Sequence, residues 1–183
     1  CEGKFKYEPT FIKCDVSHIE ELKIALQTTA KEQGAVTVLV NNAANDTRHT
    51  LDEFTSQQWD QTMEVNLKPH FFAAQEVVEG MKISGGGSII NFSSISYMMG
   101  NEGYPAYATA KSAITGLTRS LARELGPHSI RVNAIMPGWV LTKRQMKLWA
   151  TEEGLSKHLD RQCLKEHLSC LLYTSPSPRD EKV

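Results

Sequence analysis

Hydrophobic and polar positions along the chain fall into two alternating kinds of segment. Four short apolar runs rich in β-branched residues stand out: TFIKCDV (10–16), VTVLVNN (36–42), SIINFSS (88–94) and IRVNAIMPG (130–138). Each has the length of a strand and is too short for a packed helix. The second run shows little polar alternation from Val36 to Val40, the pattern of a parallel strand covered on both faces. Helical patterns lie between the runs. Residues 17–33 start with Ser17 and carry Glu20 three positions later, which predicts a capping box at a helix N-terminus. Residues 55–83 read as helical around EFTSQQWDQTMEVN and LKPHFFAAQEVVEGMK. Pro69 lacks an amide hydrogen, so the helix is expected to break between Val65 and Lys68. The glycines at 85–87 reset the chain, and residues 105–125 form a further helix. Strands alternating with helices of these lengths predict βαβ crossovers and a doubly wound α/β parallel sheet of Rossmann type.

Composition narrows the class. The chain has 183 residues, formal net charge −1 and 40% hydrophobic residues, which suits one globular domain and shows no basic excess for nucleic acid. No apolar run nears the ~18 residues that span a bilayer, so no membrane partner is expected. The opening CEGKFKYEP has no signal-peptide pattern and starts at Cys1 rather than Met, and it reads as the truncated start of a cytoplasmic protein. Cys1, Cys14, Cys163 and Cys170 form no CxxC pair, and the six histidines show no ligand spacing. Free thiols and no metal are the expectation. After QCLKEHL, the stretch SCLLYTSPSPRDEKV has two Ser-Pro pairs and no period. It is expected to be unstructured from about Tyr173. The domain is therefore assigned to residues 1–168 and an unstructured or foreign tail to 169–183.

Ligands of open parallel sheets bind at the carboxyl ends of the strands. All four runs end in polar or special residues there: Asp15; Asn41 and Asn42; Ser93 and Ser94; Pro137 and Gly138. Such residues also end strands for conformational reasons alone, but their agreement on one edge favours a site. In the helix over 105–125, a period of about 100° per residue runs an apolar stripe through Ala110, Ile114, Leu117, Leu121 and Leu125. Tyr107 and Lys111 lie together along its border, one turn apart. An ammonium about 5 Å from a phenol, at an effective dielectric near 20, favours phenolate by ~3 kcal/mol, or about two pKa units. Such a pair can serve as a general base. A snorkelling lysine packed beside a tyrosine would give the same spacing, so the neighbouring motifs decide.

Those motifs are NNAA (41–44), Asn66, Ser94 followed thirteen residues later by YATAK (107–111), and PGWVLT (137–142). In order and spacing they resemble the short-chain dehydrogenase/reductase family, over about Thr10 to His167. The resemblance implies a catalytic tetrad of Asn66, Ser94, Tyr107 and Lys111. Tyr107 would be the acid/base and Ser94 would position the substrate oxygen. Lys111 would hold the nicotinamide ribose and lower the tyrosine pKa, and Asn66 would anchor a relay water. It further implies that Asp15 and Val16 meet the adenine and that Asn42, Ala43 and Ala44 line the cofactor channel. Pro137, Gly138, Val140 and Thr142 would hold the nicotinamide, with Tyr107 and Lys111 completing the cofactor contacts. Ala44 stands where the family usually has glycine, one methyl group larger.

NDTRH (45–49), NFSSIS (91–96), TKRQ (142–145), Trp149 with EEG after it, and QCLK (162–165) resemble the aldose 1-dehydrogenases acting on D-xylose, L-arabinose or D-galactose. A sugar site needs several hydrogen-bonding side chains, because each hydroxyl buried unpaired costs about 1–3 kcal/mol. Asn45, Arg48, His49, Ser94, Ser96 and Tyr107, with Trp139 as a wall, suit that demand. A solvated polar loop carrying Arg48 and His49 is the plain alternative. The resemblance thus implies hydride transfer from C1 of a cyclic aldose to NAD or NADP, giving an aldonolactone. A 3-oxoacyl carrier-protein reductase would share the tetrad and want an apolar cleft, and a non-catalytic Rossmann-type binding module would share only the fold. The NAD or NADP preference is not readable, because the residue that sets it would precede Cys1, as would the glycine-rich pyrophosphate turn and the first two strands. A last strand would likewise follow QCLKEHL. The resemblance also implies a dimer or tetramer built on the helices around 55–83 and 105–125, which would account for Phe71 and Phe72; core packing would account for them equally. Residues 1–183 alone are expected to bind nicotinamide nucleotide weakly and to aggregate through an open strand edge; nucleotide titration and a thermal melt check this, and tight binding with a cooperative melt overturns it.

Overall fold

Three of the four apolar runs pair into a parallel sheet in the computed structural model of the chain, which describes residues 9–169. These residues divide into two compact units with the boundary between Met136 and Pro137. The first unit holds, in order, α1 (Ile19–Gln33), β1 (Val38–Asn41), α2 (Ser56–Asn66), α3 (Lys68–Ile83), β2 (Gly87–Phe92), α4 (Ser96–Met99), α5 (Pro105–Leu125) and β3 (Ile130–Ile135). The strands lie in the order β1-β2-β3, with Leu39 level with Ile89 and Ile89 level with Val132. Parallel neighbours need a crossover, which α2 and α3 supply for the first pair and α5 for the second.

The register puts Leu39, Ile89 and Val132 on one face of the sheet. Ala73, Ala74, Val77 and Met81 of α3 cover them together with Leu125 of α5, and Leu22 and Leu26 of α1 pack on the same cluster. Ile89 and Met81 are fully buried. The opposite face differs from the expectation of a strand covered on both sides: Val38 and Val40 keep 58% and 51% of their surface. The reason is that α1, α3 and α5 all contribute to one core, on the Leu39 face.

The run at 10–16 forms no strand. Its alternation is nevertheless real, since Thr10, Ile12, Cys14 and Val16 line a groove against Leu22, Ala25, Leu26, Thr29 and Gln33 of α1. A strand also needs a ladder partner, and none of the described strands pairs with it. The N-terminus of α1 departs from the capping-box expectation as well. His18 is the N-cap, and the Ser17 hydroxyl is taken by Asp15, donating to its Oδ1 at 2.7 Å. A capping box forms instead at α2, where Thr55 accepts from the Gln58 amide and the Gln58 side chain accepts from the Thr55 amide.

The break expected before Pro69 falls at Leu67, whose φ of −129° interrupts α2 and α3. The glycine turn also behaves as expected: Gly86 has φ +140°, and a Cβ there would sit 2.6 Å from the Ser129 carbonyl oxygen. The helix over 105–125 matches α5, but its buried face is rotated from the apolar stripe. Lys111 and Thr118 are buried alongside Ala110 and Ile114, while Leu117 and Leu121 are only half-buried.

The second unit contains β4 (Val140–Leu141), α6 (Lys143–Leu148), α7 (Glu152–Asp160) and β5 (Leu168–Ser169), with β4 parallel to β5. The tail expected to be unstructured from Tyr173 lies outside the described residues. No helix among the described residues is long and apolar enough to cross a membrane. Ile89→Ala should lower stability by about 2–5 kcal/mol in urea unfolding, since a fully buried branched side chain at the centre of the sheet leaves a cavity; a loss below about 1 kcal/mol would mean that the core is elsewhere.

Candidate active site

The carboxyl ends of β1 and β2 carry Asn41 and Asn91 side by side, because the two residues pair in register. Asn41 Nδ2 donates to Asn91 Oδ1 at 2.9 Å, and Asn91 Nδ2 donates to the Thr118 hydroxyl of α5 at 3.0 Å. This ladder ties two strands and a helix under the rim and satisfies the fully buried Asn91. One residue beyond β2, the buried Ser93 hydroxyl donates to the Lys111 carbonyl at 2.6 Å. The backbone of α5 is thereby fixed at the residue whose side chain matters most.

Lys111 is 1% exposed. Its Nζ donates to the Phe92 carbonyl at 2.7 Å and lies 5.7 Å from the centre of the Tyr107 ring. Burial holds its pKa at about 8 instead of the ordinary 10.5. The i,i+4 spacing does bring Tyr107 and Lys111 to one face of α5, as the sequence predicts. The electrostatic consequence is the reverse of the expectation. The Tyr107 pKa is raised, first by burial and then by Asp46 and Tyr104, while the Ser94 hydroxyl and the Arg48 guanidinium pull it down. The Lys111 ammonium points at the Phe92 carbonyl, and a half-buried phenol loses more to desolvation than its neighbours return.

Ser94 accepts from the Ser96 amide at 3.1 Å, and its hydroxyl lies near enough to the Tyr107 phenol to lower its pKa. The Ser96 hydroxyl is buried without a partner. Asn66, 1% exposed at the end of α2, spends its carboxamide on the loop after β1. It accepts from the Asn45 amide at 2.8 Å and donates to the Asn45 carbonyl at 3.0 Å and the Thr62 carbonyl at 2.9 Å. Its side chain therefore clamps the loop, where the sequence suggests a water anchor. Asn42, Ala43, Ala44 and Asn45 are exposed along that loop, and Thr47 donates to the Asn45 side chain at 3.1 Å.

The same loop continues to α5. The Arg48 guanidinium stacks 4.0 Å from the Tyr104 ring, which meets Tyr107 edge-on at 5.9 Å. His49 packs on Phe54 at 3.6 Å, its Nδ1 contacts the Thr50 carbonyl at 3.1 Å, and its Nε2 accepts from the Ala106 amide at 3.4 Å. Tyr104 provides no side-chain cap, so His49 takes up an otherwise open amide of the first turn of α5. Both ring nitrogens of His49 are used inside the protein.

Asp15 is exposed, and its two bonds to Ser17, first of all, hold its carboxyl below the usual range; Val16 is half-buried on the α1 side. In the second unit Pro137, Gly138, Trp139 and Val140 are half-buried. The Trp139 indole donates to Gln145 at 2.9 Å and meets His158 edge-on, and the Thr142 hydroxyl caps α6 by accepting from the Gln145 amide. Thr118 and His70 are residues of the first unit's rim that the sequence reading passed over, and it named Ser93 and Asn91 only as part of the strand end and of NFSSIS. Ser93 was signalled only by its place beside Ser94, and His70 only by following Pro69.

A parallel sheet with serine, tyrosine and lysine gathered beyond its central strand places the protein in the Rossmann-type α/β class. The short chain dehydrogenase family model matches residues 2–153, and the chain belongs to that family. It is 48% identical over 160 residues to a probable galactose dehydrogenase of Rhizobium meliloti, covering 87% of this chain and 62% of that protein. It is also 48% identical over 157 residues to D-xylose 1-dehydrogenase of Caulobacter vibrioides, covering 86% and 61%. The chain thus spans about three fifths of the length of these relatives. A crystal structure from Sinorhizobium meliloti 1021, described as a short-chain alcohol dehydrogenase, superposes with a TM-score of 0.82 at 30% identity, covering 86% of this chain and 63% of that one.

The buried lysine has a pH signature. Its folded pKa lies below its unfolded one, so the unfolded chain binds the extra proton between pH about 8 and 10.5. Stability contributed by Lys111 should be present above pH 10.5 and fall by about 3 kcal/mol as pH drops to 8, then level off. Denaturant unfolding of wild type against Lys111→Met across this range checks it; an identical pH slope in both proteins would show that the ammonium is solvated.

Proposed function

We propose that the protein is part of a nicotinamide-dependent sugar oxidoreductase that takes a hydride from C1 of a cyclic aldose and yields an aldonolactone. The observation that carries the reading is the cluster itself: the Ser94 hydroxyl acts on the Tyr107 phenol, with the buried Lys111 ammonium 5.7 Å from the Tyr107 ring centre, one helical turn along α5. The names of the two relatives at 48% identity support an aldose as substrate.

The donor set suits a nucleotide cofactor. An ammonium has three donors, and Lys111 directs one to Phe92, leaving two for the vicinal hydroxyls of a ribose. The exposed small residues Ala43 and Ala44 would let the backbone approach it closely. Asn42 would share that channel, Asp15 and Val16 would meet the adenine, and Pro137, Gly138, Val140 and Thr142 would line the nicotinamide end. NAD or NADP, when bound, supplies the hydride acceptor.

The chain's own residues supply position and proton transfer. Ser94 holds the anomeric oxygen beside Tyr107, whose phenol oxygen takes the hydroxyl proton as C1 releases its hydride and the C–O bond becomes a carbonyl. The raised pKa of Tyr107 favours the protonated phenol of the reverse, reducing direction. In the oxidative direction the phenol must give up its proton, and the Ser94 hydroxyl and the Arg48 guanidinium are the groups that pull its pKa down. Asn66 acts through the Asn45 backbone, keeping the cofactor loop against α2. Asn45, Arg48, Ser96 and Trp139 are the proposed sugar contacts, and His49 serves them by docking their loop on α5. The whole enzyme is proposed to pair through α3 and α5, since Phe71 remains 45% exposed.

In a version extended to its relatives' length, Tyr107→Phe should abolish aldose-dependent nucleotide reduction, by at least about a hundredfold in kcat, while nucleotide binding stays within about twofold. Activity with β-keto esters and none with aldoses would move the protein to the acyl-reductase alternative, and unchanged kcat would remove Tyr107 from its role.

A further inference from the structure

Ser94 lies in a short segment that is fastened at both of its ends. At the near end, the Ser93 amide donates to the Ile135 carbonyl at 2.9 Å and the Ser93 hydroxyl to the Lys111 carbonyl at 2.6 Å. At the far end, the Tyr97 hydroxyl lies 3.2 Å from the Thr115 hydroxyl and donates to the Met136 sulfur at 3.4 Å. A phenol has one hydrogen to give, so with that hydrogen on Met136 the Thr115 hydroxyl is the donor to the Tyr97 oxygen. Both ends therefore reach the same two elements. Lys111 and Thr115 are one turn apart on α5, and Ile135 and Met136 are consecutive where β3 ends.

The proposed chemistry leaves Tyr97 unused. Between the two anchors the Ser96 amide donates to Ser94 Oγ at 3.1 Å. That bond occupies a lone pair of the Ser94 oxygen and leaves its hydrogen for another acceptor. Where the amide points depends on α4, a single turn with no side-chain cap at Ile95 and with Gly100 at φ +62° behind it. So short a helix does not hold its own shape. Tyr97 ties it down, while Met98 and Met99 are exposed and the Ser96 hydroxyl has no partner among the described residues.

We propose that Tyr97 is a positioning residue that acts through Ser94, its hydroxyl fixing the far end of the 93–97 segment on α5 and β3 so that the Ser94 hydroxyl stays aimed at the oxygen being oxidised. The inference rests on the proposed dehydrogenase reading, in which Ser94 holds that oxygen. Tyr97 holds geometry and moves no proton. Fastened at Ser93 alone, residues 94–97 could turn about one anchor; a second anchor on the same pair of elements removes that freedom. Orientation gained in this way acts on the rate of the chemical step and not on the binding of the nucleotide.

Two measurements in the version extended to its relatives' length test it. The first needs no turnover and follows urea unfolding of Tyr97→Phe, Thr115→Val and the double variant. Each single change should lower the unfolding midpoint, and the double variant should fall no further than the larger single effect; additive losses overturn the clamp. In the second, Tyr97→Phe should lower kcat by about fivefold or more with nucleotide Kd within about twofold. Thr115→Val should act in the same direction, whereas Thr115→Ser, which keeps the hydroxyl, should stay near wild type. In a Ser94→Ala background, Tyr97→Phe should cost nothing further in the residual kcat, because the group it places is gone. A wild-type kcat in Tyr97→Phe, or an undiminished loss in the Ser94→Ala background, overturns the positioning role. If wild type turns over neither aldose nor ketone while the unfolding result holds, the dehydrogenase reading has failed and the clamp stands.

Discussion

A buried ammonium bonded to a strand-end carbonyl organises this site. Lys111 is almost wholly removed from solvent, and an unpaired cation in that position would be strongly unfavourable. The Phe92 carbonyl, at the carboxyl end of β2, accepts from the Lys111 ammonium at 2.7 Å. The contact ties the carboxyl end of β2 to α5. Ser93 completes the restraint from the other direction by holding the Lys111 backbone.

The same logic explains why so many uncharged polar side chains are buried at this rim. Asn41, Asn91 and Thr118 satisfy one another across three elements, and Asn66 satisfies the backbone of Asn45. Each bond alone contributes about 1 kcal/mol, whereas leaving one buried partner unpaired costs more. The network is thus better at specifying geometry than at adding stability. It fixes the cofactor loop, β2 and α5 relative to one another, and the reactive hydroxyls of Ser94 and Tyr107 inherit that placement. Arg48 and His49 extend the fixation outward, one through the face of Tyr104 and the other through the first turn of α5.

The cost of enclosure appears in the pKa directions. Burial lowers Lys111 and His70 and raises Tyr107, so each group is pushed toward its neutral form. Lys111, at about 8, nevertheless keeps its charge at neutral pH, while Tyr107 and His70 are neutral there. Reading an i,i+4 pair in isolation predicts attraction between charges; the enclosed pair instead responds first to the loss of water.

Local rules were enough where the cause was local. Pro69 marks the break at Leu67, the glycines at 85–87 mark the turn, and the period of residues 105–125 marks α5, because these depend on covalent geometry and on neighbours three or four residues away. The motif residues Asn66, Ser94, Tyr107 and Lys111 were legible for a different reason, as a spaced set of chemical types. Pairing and enclosure were not legible. The alternation at 10–16 is present, yet a strand requires a partner elsewhere in the chain, and Ser17 looks like a cap until Asp15 takes its hydroxyl. Nor does sequence reveal that the Lys111 ammonium turns to Phe92 or that His70 is sealed from solvent, since both follow from which surfaces meet across the sheet. The sequence alone therefore determined the elements and the kinds of reactive group, through short-range sterics and periodicity. Tertiary structure alone decided their charge states and partners, because those depend on water excluded by residues distant along the chain.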